Sequence, residues 1–181
     1  PEAKYPAALR DLQTAIRWLR AHAEIYGIDT TKIAACGGSA GGNLAVSLGL
    51  GREGNPATDD AEWRGHSARL QAVVDIDGPL DLTIPEERVK ADDPSKPSAA
   101  RRWLGCSYEE CPDLWREVSP VYHVNAECPP IIFINSSIDR FHAGRDEMIE
   151  QMNRFGIPSA VHTFPATPHP FWLFHPWAGE T

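Results

Sequence analysis

The short apolar run Lys32 to Cys36 has no polar alternation and feeds straight into Gly37-Gly38-Ser39-Ala40-Gly41-Gly42. No other stretch constrains the fold as much. A strand without alternation is buried on both faces, which is the mark of a parallel sheet covered by helices. The residues after the glycine run, Asn43 to Leu50, are apolar and fit a helix that stops near Gly51. Strand, tight turn and helix in immediate succession form the core of an α/β unit.

The remaining text extends that pattern. Residues 6–25 predict an amphipathic helix, with Leu9, Leu12, Ala15, Ile16 and Leu19 recurring at three- and four-residue steps among Arg10, Asp11, Arg17 and Arg20. Pro6 suits its first turn and Gly27 the position past its end. Residues 52–68 are polar and predict a loop. Leu70 to Ile76 predicts a second buried strand, Ile131 to Asn135 a third and Ser159 to Phe164 a fourth, with a helix from Ala143 to Phe155 stopped by Gly156 and Pro158. Residues 79–130 carry eight of the sixteen prolines and predict an irregular, cap-like excursion of short helices within one domain spanning 1–181. The expected fold is α/β, a three-layer parallel sheet flanked by helices on both faces.

Composition narrows the function classes. A length of 181 residues holds one domain with a real core, and 42% apolar with 23% charged residues is ordinary globular usage. Seventeen basic against twenty-five acidic residues leave a net charge of −8, the wrong sign for a phosphate-backbone binder, so no nucleic-acid partner is expected. No uncharged apolar window is long enough to cross a bilayer. The sequence opens on Pro1, with no basic stretch leading into an apolar run, so no secretory leader is visible and the chain reads as a processed product or a fragment, whose compartment its sequence does not give. Cys36, Cys106, Cys111 and Cys128 are too few and too uneven for a disulfide framework; Cys106 and Cys111 are near enough to pair locally, but free thiols are the simpler expectation. Without CxxC or HExxH, neither a metal site nor any other cofactor is expected.

Gly37-Gly38-Ser39-Ala40-Gly41 matches G-x-S-x-G, and its place between strand and helix makes the match informative. Such a turn forces the serine into a strained backbone region and lifts its hydroxyl above the sheet, with Gly37 and Gly41 expected to remove the Cβ clashes. The amide of Ala40, at the helix N-terminus, is the candidate oxyanion donor. The plain alternative is a glycine turn with an idle serine; the lysine of a phosphate loop is missing.

A serine hydroxyl needs a base. Of seven histidines, His169 lies in a loop after the last strand, between Pro168 and Pro170, from which it can reach the serine. His22, His66, His123, His142, His162 and His175 are expected to serve structural or solvent-facing roles. The base needs an anionic partner. Asp139, four residues past the third strand, gives the chain order Ser39, Asp139, His169 expected of a hydrolase with a nucleophile elbow. Asp77 is the rival, with capping of the turn before Gly78-Pro79 as its plain role.

The runs AACGGSAGGNLAVSLGL, DIDGPLDLT, REVSPVYHV, CPPIIFINSSIDRF and FPATPHPFW resemble the α/β-hydrolase esterases of the acetyl-esterase and hormone-sensitive-lipase-like group. Ser39, Asp139 and His169 fall where that group has nucleophile, acid and base. Two departures stand out: Asn135-Ser136 where members have His-Gly, and His169-Pro170 where they have His-Gly-Phe. The resemblance implies a serine hydrolase of short-chain carboxylic esters, with deacetylation of plant polysaccharides as one branch. Phe171 and Trp172 are weak candidates for substrate contact. The group's opening strands and its glycine-rich HGG loop have no counterpart before Pro1. The resemblance therefore implies either self-association or a partner chain supplying that half. The competing readings are a peptidase of the same fold and a non-catalytic remnant.

Overall fold

The computed structural model describes residues 3–51, 63–92 and 97–181, and residues 52–62 of the loop expected over 52–68 lie outside them. The chain runs α1 (Ala7–Ala21), α2 (Ala23–Tyr26), β1 (Ala34–Gly38), α3 (Ala40–Gly49), β2 (Ala72–Ile76), α4 (Pro85–Asp92), α5 (Ala99–Leu104), α6 (Pro112–Glu117), β3 (Ile131–Asn135), α7 (Arg145–Arg154) and β4 (Ser159–Thr163). The four strands form one sheet in the order β1-β2-β3-β4, every pair parallel. The single helix expected over 6–25 is divided at His22, and its second piece ends on Gly27 at φ 64°, where the left-handed backbone favours glycine.

The register explains where the core sits. Val73, Asp75, Ile131, Phe133 and Asn135 share one face of the sheet, and all five are buried. Leu9 and Ile16 of α1, Val46 and Leu48 of α3, and Met148 and Met152 of α7 complete that core. Each large side chain buried there contributes about 1.5–3 kcal/mol. The other face carries Cys36, Val74, Ile76, Ile132 and Ile134. Phe164 and Phe171 cover Ile76 and Ile134 at its carboxyl end, with Trp172 and Trp177 packed alongside, while Cys36 and Ile132 remain exposed. The expectation of strands buried on both faces therefore holds for only part of the sheet. Among the described residues the long helices α1, α3 and α7 pack on one side, and the third layer is the short C-terminal segment.

The proline-rich stretch does form short helices. Leu82, Leu104, Trp115 and Val118 give it a small core of its own. Ser98 caps α5 by accepting the Arg101 N–H, and Gly105 ends it in the left-handed region. Cys106 and Cys111 form a disulfide there, against the expectation of free thiols; the turn between α5 and α6 brings their Cα atoms to 6.3 Å, within bridging range. No helix of the described residues is long and apolar enough to cross a membrane.

Candidate active site

The carboxyl ends of β1, β2 and β3 converge with the loop after β4. At the end of β1 the chain turns into α3 through Ser39, whose backbone sits at φ 57°, ψ −123°. Such a conformation costs about 1–3 kcal/mol and persists only where its surroundings enforce it. Here the enforcement is visible: the Ser39 N–H donates to the Ile76 carbonyl at 2.8 Å, and the Ser39 carbonyl accepts the Gly42 N–H at 2.9 Å. The glycines divide the work differently from expectation. A Cβ on Gly37 would stand 2.1 Å from the Gly41 carbonyl oxygen, so Gly37 is obligatory, whereas a Cβ on Gly41 would meet nothing within 4 Å. The tight positions on the helix side and before the serine are Gly42, whose Cβ would press on the Asp75 carboxyl, and Gly38, whose Cβ would strike the Trp172 indole. Ala40 opens α3 and places its amide beside the serine.

His169 reaches this turn as expected. Its Nε2 lies 2.9 Å from Ser39 Oγ, and its Nδ1 lies 3.0 Å from Asp77 Oδ2. Asp77 as a carboxylate can only accept, so Nδ1 carries the proton and Nε2 is left to accept from the Ser39 hydroxyl. The imidazole is stacked on Phe141 at a centroid distance of 4.0 Å and meets the edge of Trp172 at 5.1 Å.

The carboxylate against the imidazole is therefore that of Asp77, whereas the sequence pointed to Asp139. Asp139 is exposed, at the start of a single 3-10 turn (Asp139–Phe141). Asp77 is fully buried. Its backbone takes φ 51°, a region that aspartate tolerates better than most residues, and this folds its carboxylate back over the sheet end. Three donors meet it: His169, the Ser136 N–H at 2.7 Å and Asn135 Nδ2 at 3.4 Å on the other oxygen. Arg145 Nη1 donates to Asn135 Oδ1 at 3.0 Å. Because arginine only donates, the Asn135 amide is fixed with its NH2 toward Asp77. An arginine at the first position of α7 opposes the helix dipole, so its place there is explained by Asn135 and by Asp146, whose Oδ1 accepts Nε at 2.8 Å.

Sequence reasoning missed Asn135, Ser136, Phe141 and Arg145. The signal that was there is the departure from His-Gly to Asn135-Ser136, which supplies two N–H donors beside the end of β2. Phe171 is fully buried against Ile76, Ile134 and Phe164 and is not a substrate contact. Trp172 is half-buried over Gly38 and His169, at the site itself. The other six histidines stay away from the hydroxyl; His142, for example, has Nε2 2.8 Å from the Ser136 carbonyl. Among the described residues no group of three or more His, Cys, Asp or Glu side chains is placed to hold a metal ion.

A parallel sheet with a strained serine turn at its carboxyl edge and a histidine loop over it defines an α/β-hydrolase fold. The chain belongs to the BD-FAE family, whose model matches residues 1–145, a span that includes Ser39, Asp77 and Asp139. It is 32% identical over 142 residues to the esterase LipC of Mycobacterium tuberculosis, covering 77% of this chain and 34% of LipC. The chain spans 34% to 40% of the length of the mycobacterial proteins LipC, LipQ and LipM. Among solved structures, esterase 2 of Thermogutta terrifontis superposes with a TM-score of 0.72 at 26% identity, over 95% of this chain and 58% of that one. A truncated carbohydrate esterase from gut microbiota superposes with a TM-score of 0.77 over 99% of this chain and 67% of that one; at 24% identity it shows the fold alone.

Proposed function

We propose that this protein hydrolyses short-chain carboxylic esters by acyl transfer through Ser39, His169 and Asp77. The observation that carries the reading is the continuous hydrogen-bonded path from Ser39 Oγ through both imidazole nitrogens to a buried carboxylate. Ser39 Oγ attacks the ester carbonyl carbon while His169 Nε2 takes its proton. The tetrahedral oxyanion faces the Ala40 amide. The imidazolium is stabilised by Asp77, then gives its proton to the leaving alkoxide. Water, losing its proton to the same nitrogen, then adds to the acyl carbon; the bond to Ser39 Oγ breaks, the carboxylic acid leaves, and the imidazolium returns its proton to Oγ.

Esters rather than amides are favoured by the esterase names of the relatives, and the Ala40 amide is the proposed oxyanion donor within the elbow. An oxyanion donor is worth roughly 2.7–4 kcal/mol, and an amide has the higher barrier to overcome. Within esters, acetylated carbohydrate is the proposed class, supported by the indole of Trp172 beside the serine turn and His169. An indole face next to a reacting ester suits a sugar ring.

The test is Ser39→Ala, which is expected to reduce hydrolysis of 4-nitrophenyl acetate by a factor on the order of 10⁴ or more. Near-wild-type turnover by that variant would remove the proposal. Acetate release from acetylated xylan, measured against butyrate release from a simple ester, tests the substrate class. Exclusive butyrate release would leave a general carboxylesterase.

Association with another chain is the further part of the reading. Among the described residues β1 pairs on one side only, with β2, and it is exposed or half-buried along its length. An open strand edge of this kind is a template for another strand. Sedimentation equilibrium is expected to show association; a single monomeric species at the highest soluble concentration would contradict it.

A further inference from the structure

Two aspartates end β2 on the same face, and the mechanism uses only one. Asp75 is fully buried directly beneath the serine turn, in register with Gly37 of β1 and Phe133 of β3. Its surroundings are shaped around its carboxyl group. Oδ1 accepts the Gly78 N–H at 3.1 Å. A Cβ on Gly42 or Gly78 would fall about 2 Å from that oxygen, at 2.2 and 2.1 Å, so two glycines on two elements leave the space that it fills. Its second oxygen, Oδ2, is buried with no hydrogen-bond partner.

The donors are divided unequally between the two carboxyls. Asp77 receives His169, Ser136 and Asn135. Asp75 receives one backbone N–H and no cation. An ionised carboxylate in such a site is left with an uncompensated charge, whereas a carboxylic acid leaves only a neutral O–H at Oδ2 without a partner, which costs far less. The titratable group beside it is Asp77; Cys36 on β1 lies on the other face of the sheet but within electrostatic reach, α3 presents Gly42, and β3 presents Phe133. Burial pushes the Asp75 carboxyl well above the ordinary carboxylate range, and the charge of Asp77 adds to this against the pull of the Gly78 N–H.

The bond to Gly78 matters for the site because it closes the Asp75–Gly78 turn. Inside that turn sits Asp77 at φ 51°. The following residue is held as well: Asn43 Nδ2 donates to the Pro79 carbonyl at 2.8 Å. The carboxyl of Asp75 thus fixes the turn from inside the sheet while Asn43 fixes it from the helix.

We propose that Asp75 is a positioning residue, a neutral carboxylic acid that pegs the turn carrying Asp77 and so holds that carboxylate against His169. The proposal rests on the reading of Asp77 as the partner of the base. A neutral peg can be copied by an amide and not by an alkyl group, and this defines the experiment.

Asp75→Asn and Asp75→Leu are made in the full chain and assayed with 4-nitrophenyl acetate. Asp75→Asn is expected to keep kcat within about threefold and to leave the pH profile of kcat/KM unchanged, whereas Asp75→Leu loses about thirtyfold or more in kcat with little change in KM and a displaced pH profile. Thermal melts give a second readout with a definite sign. A carboxyl whose folded pKa lies above its unfolded value gives stability that is complete below the unfolded pKa and lost as pH rises toward the folded one. Asp75→Asn should therefore melt above the wild type near about pH 7.5, with the gap closing toward about pH 4.

Equal damage in both variants, or an Asn variant that melts below the wild type near neutrality, overturns the proposal. So does full kcat with an unchanged pH profile in Asp75→Leu. If the Leu variant does not fold, the Asn variant decides by its melt and its profile. Should the hydrolytic reading itself be wrong, Ser39→Ala would keep the activity, while the melting comparison would still report whether Asp75 is neutral.

Discussion

His169 is held on every side by something different: a hydroxyl on Nε2, a carboxylate on Nδ1, a phenyl ring on one face and an indole at its edge. Only its carboxylate partner was ambiguous. Asp77 and Asp139 both lie past the carboxyl ends of neighbouring strands and both fit the order serine, aspartate, histidine, and the resemblance to the esterase group places the acid at Asp139. The deciding feature is backbone geometry: left-handed Asp77 turns back over the sheet and finds donors, while Asp139 faces solvent. Asp77→Asn is accordingly expected to lower kcat by a factor on the order of 10⁴, because an amide no longer selects the required imidazole tautomer, whereas Asp139→Asn stays within about threefold. Side-by-side esterase kinetics check this, and a large loss confined to Asp139→Asn would return the role to that residue. The serine and histidine were legible because a glycine turn and a loop position are local signals. The carboxylate was not, because its partners come from two other segments, Asn135-Ser136 at the end of β3 and the His169 loop.

At the scale of elements, the four strands and the helices α3 and α7 lie within a few residues of their sequence boundaries, since apolar runs and glycine or proline stops are read directly. The packing side of the helices was not readable in the same way. Strand text like Ile131–Asn135 is apolar through its first four residues on both faces, yet only one face receives α1, α3 and α7. The elbow offers a sharp contrast within one motif. Gly37→Ala drives a Cβ into the Gly41 carbonyl and is expected to cost more than about 2 kcal/mol. Gly41→Ala meets open space within a helix and should instead add about 0.5–1 kcal/mol. Urea unfolding of the two variants measures both signs, and comparable losses in each would contradict the geometry.

Across the whole molecule, stability is unevenly distributed. The main core lies between one sheet face and three helices, while the proline-rich stretch depends on a small cluster around Trp115 and on the Cys106–Cys111 bridge. The bridge closes a short loop, and by chain entropy its replacement with two serines is expected to cost about 2 kcal/mol. Denaturant midpoints with and without the bridge check this; an unchanged midpoint would mean that the cluster alone orders the segment. Cys128 will not interfere with thiol assays of the native protein, because burial pushes its thiol up to about 11.

The account turns on whether the imidazole of residue 169 makes the Ser39 oxygen a nucleophile. Reaction of the intact protein with a serine-directed fluorophosphonate, followed by mass mapping of the adduct, asks this without reference to any substrate. One adduct per chain, on Ser39, formed rapidly in the wild type and slowly or not at all in His169→Ala, is the predicted result. A wild-type protein that stays unlabelled, or that labels equally fast without His169, contradicts it.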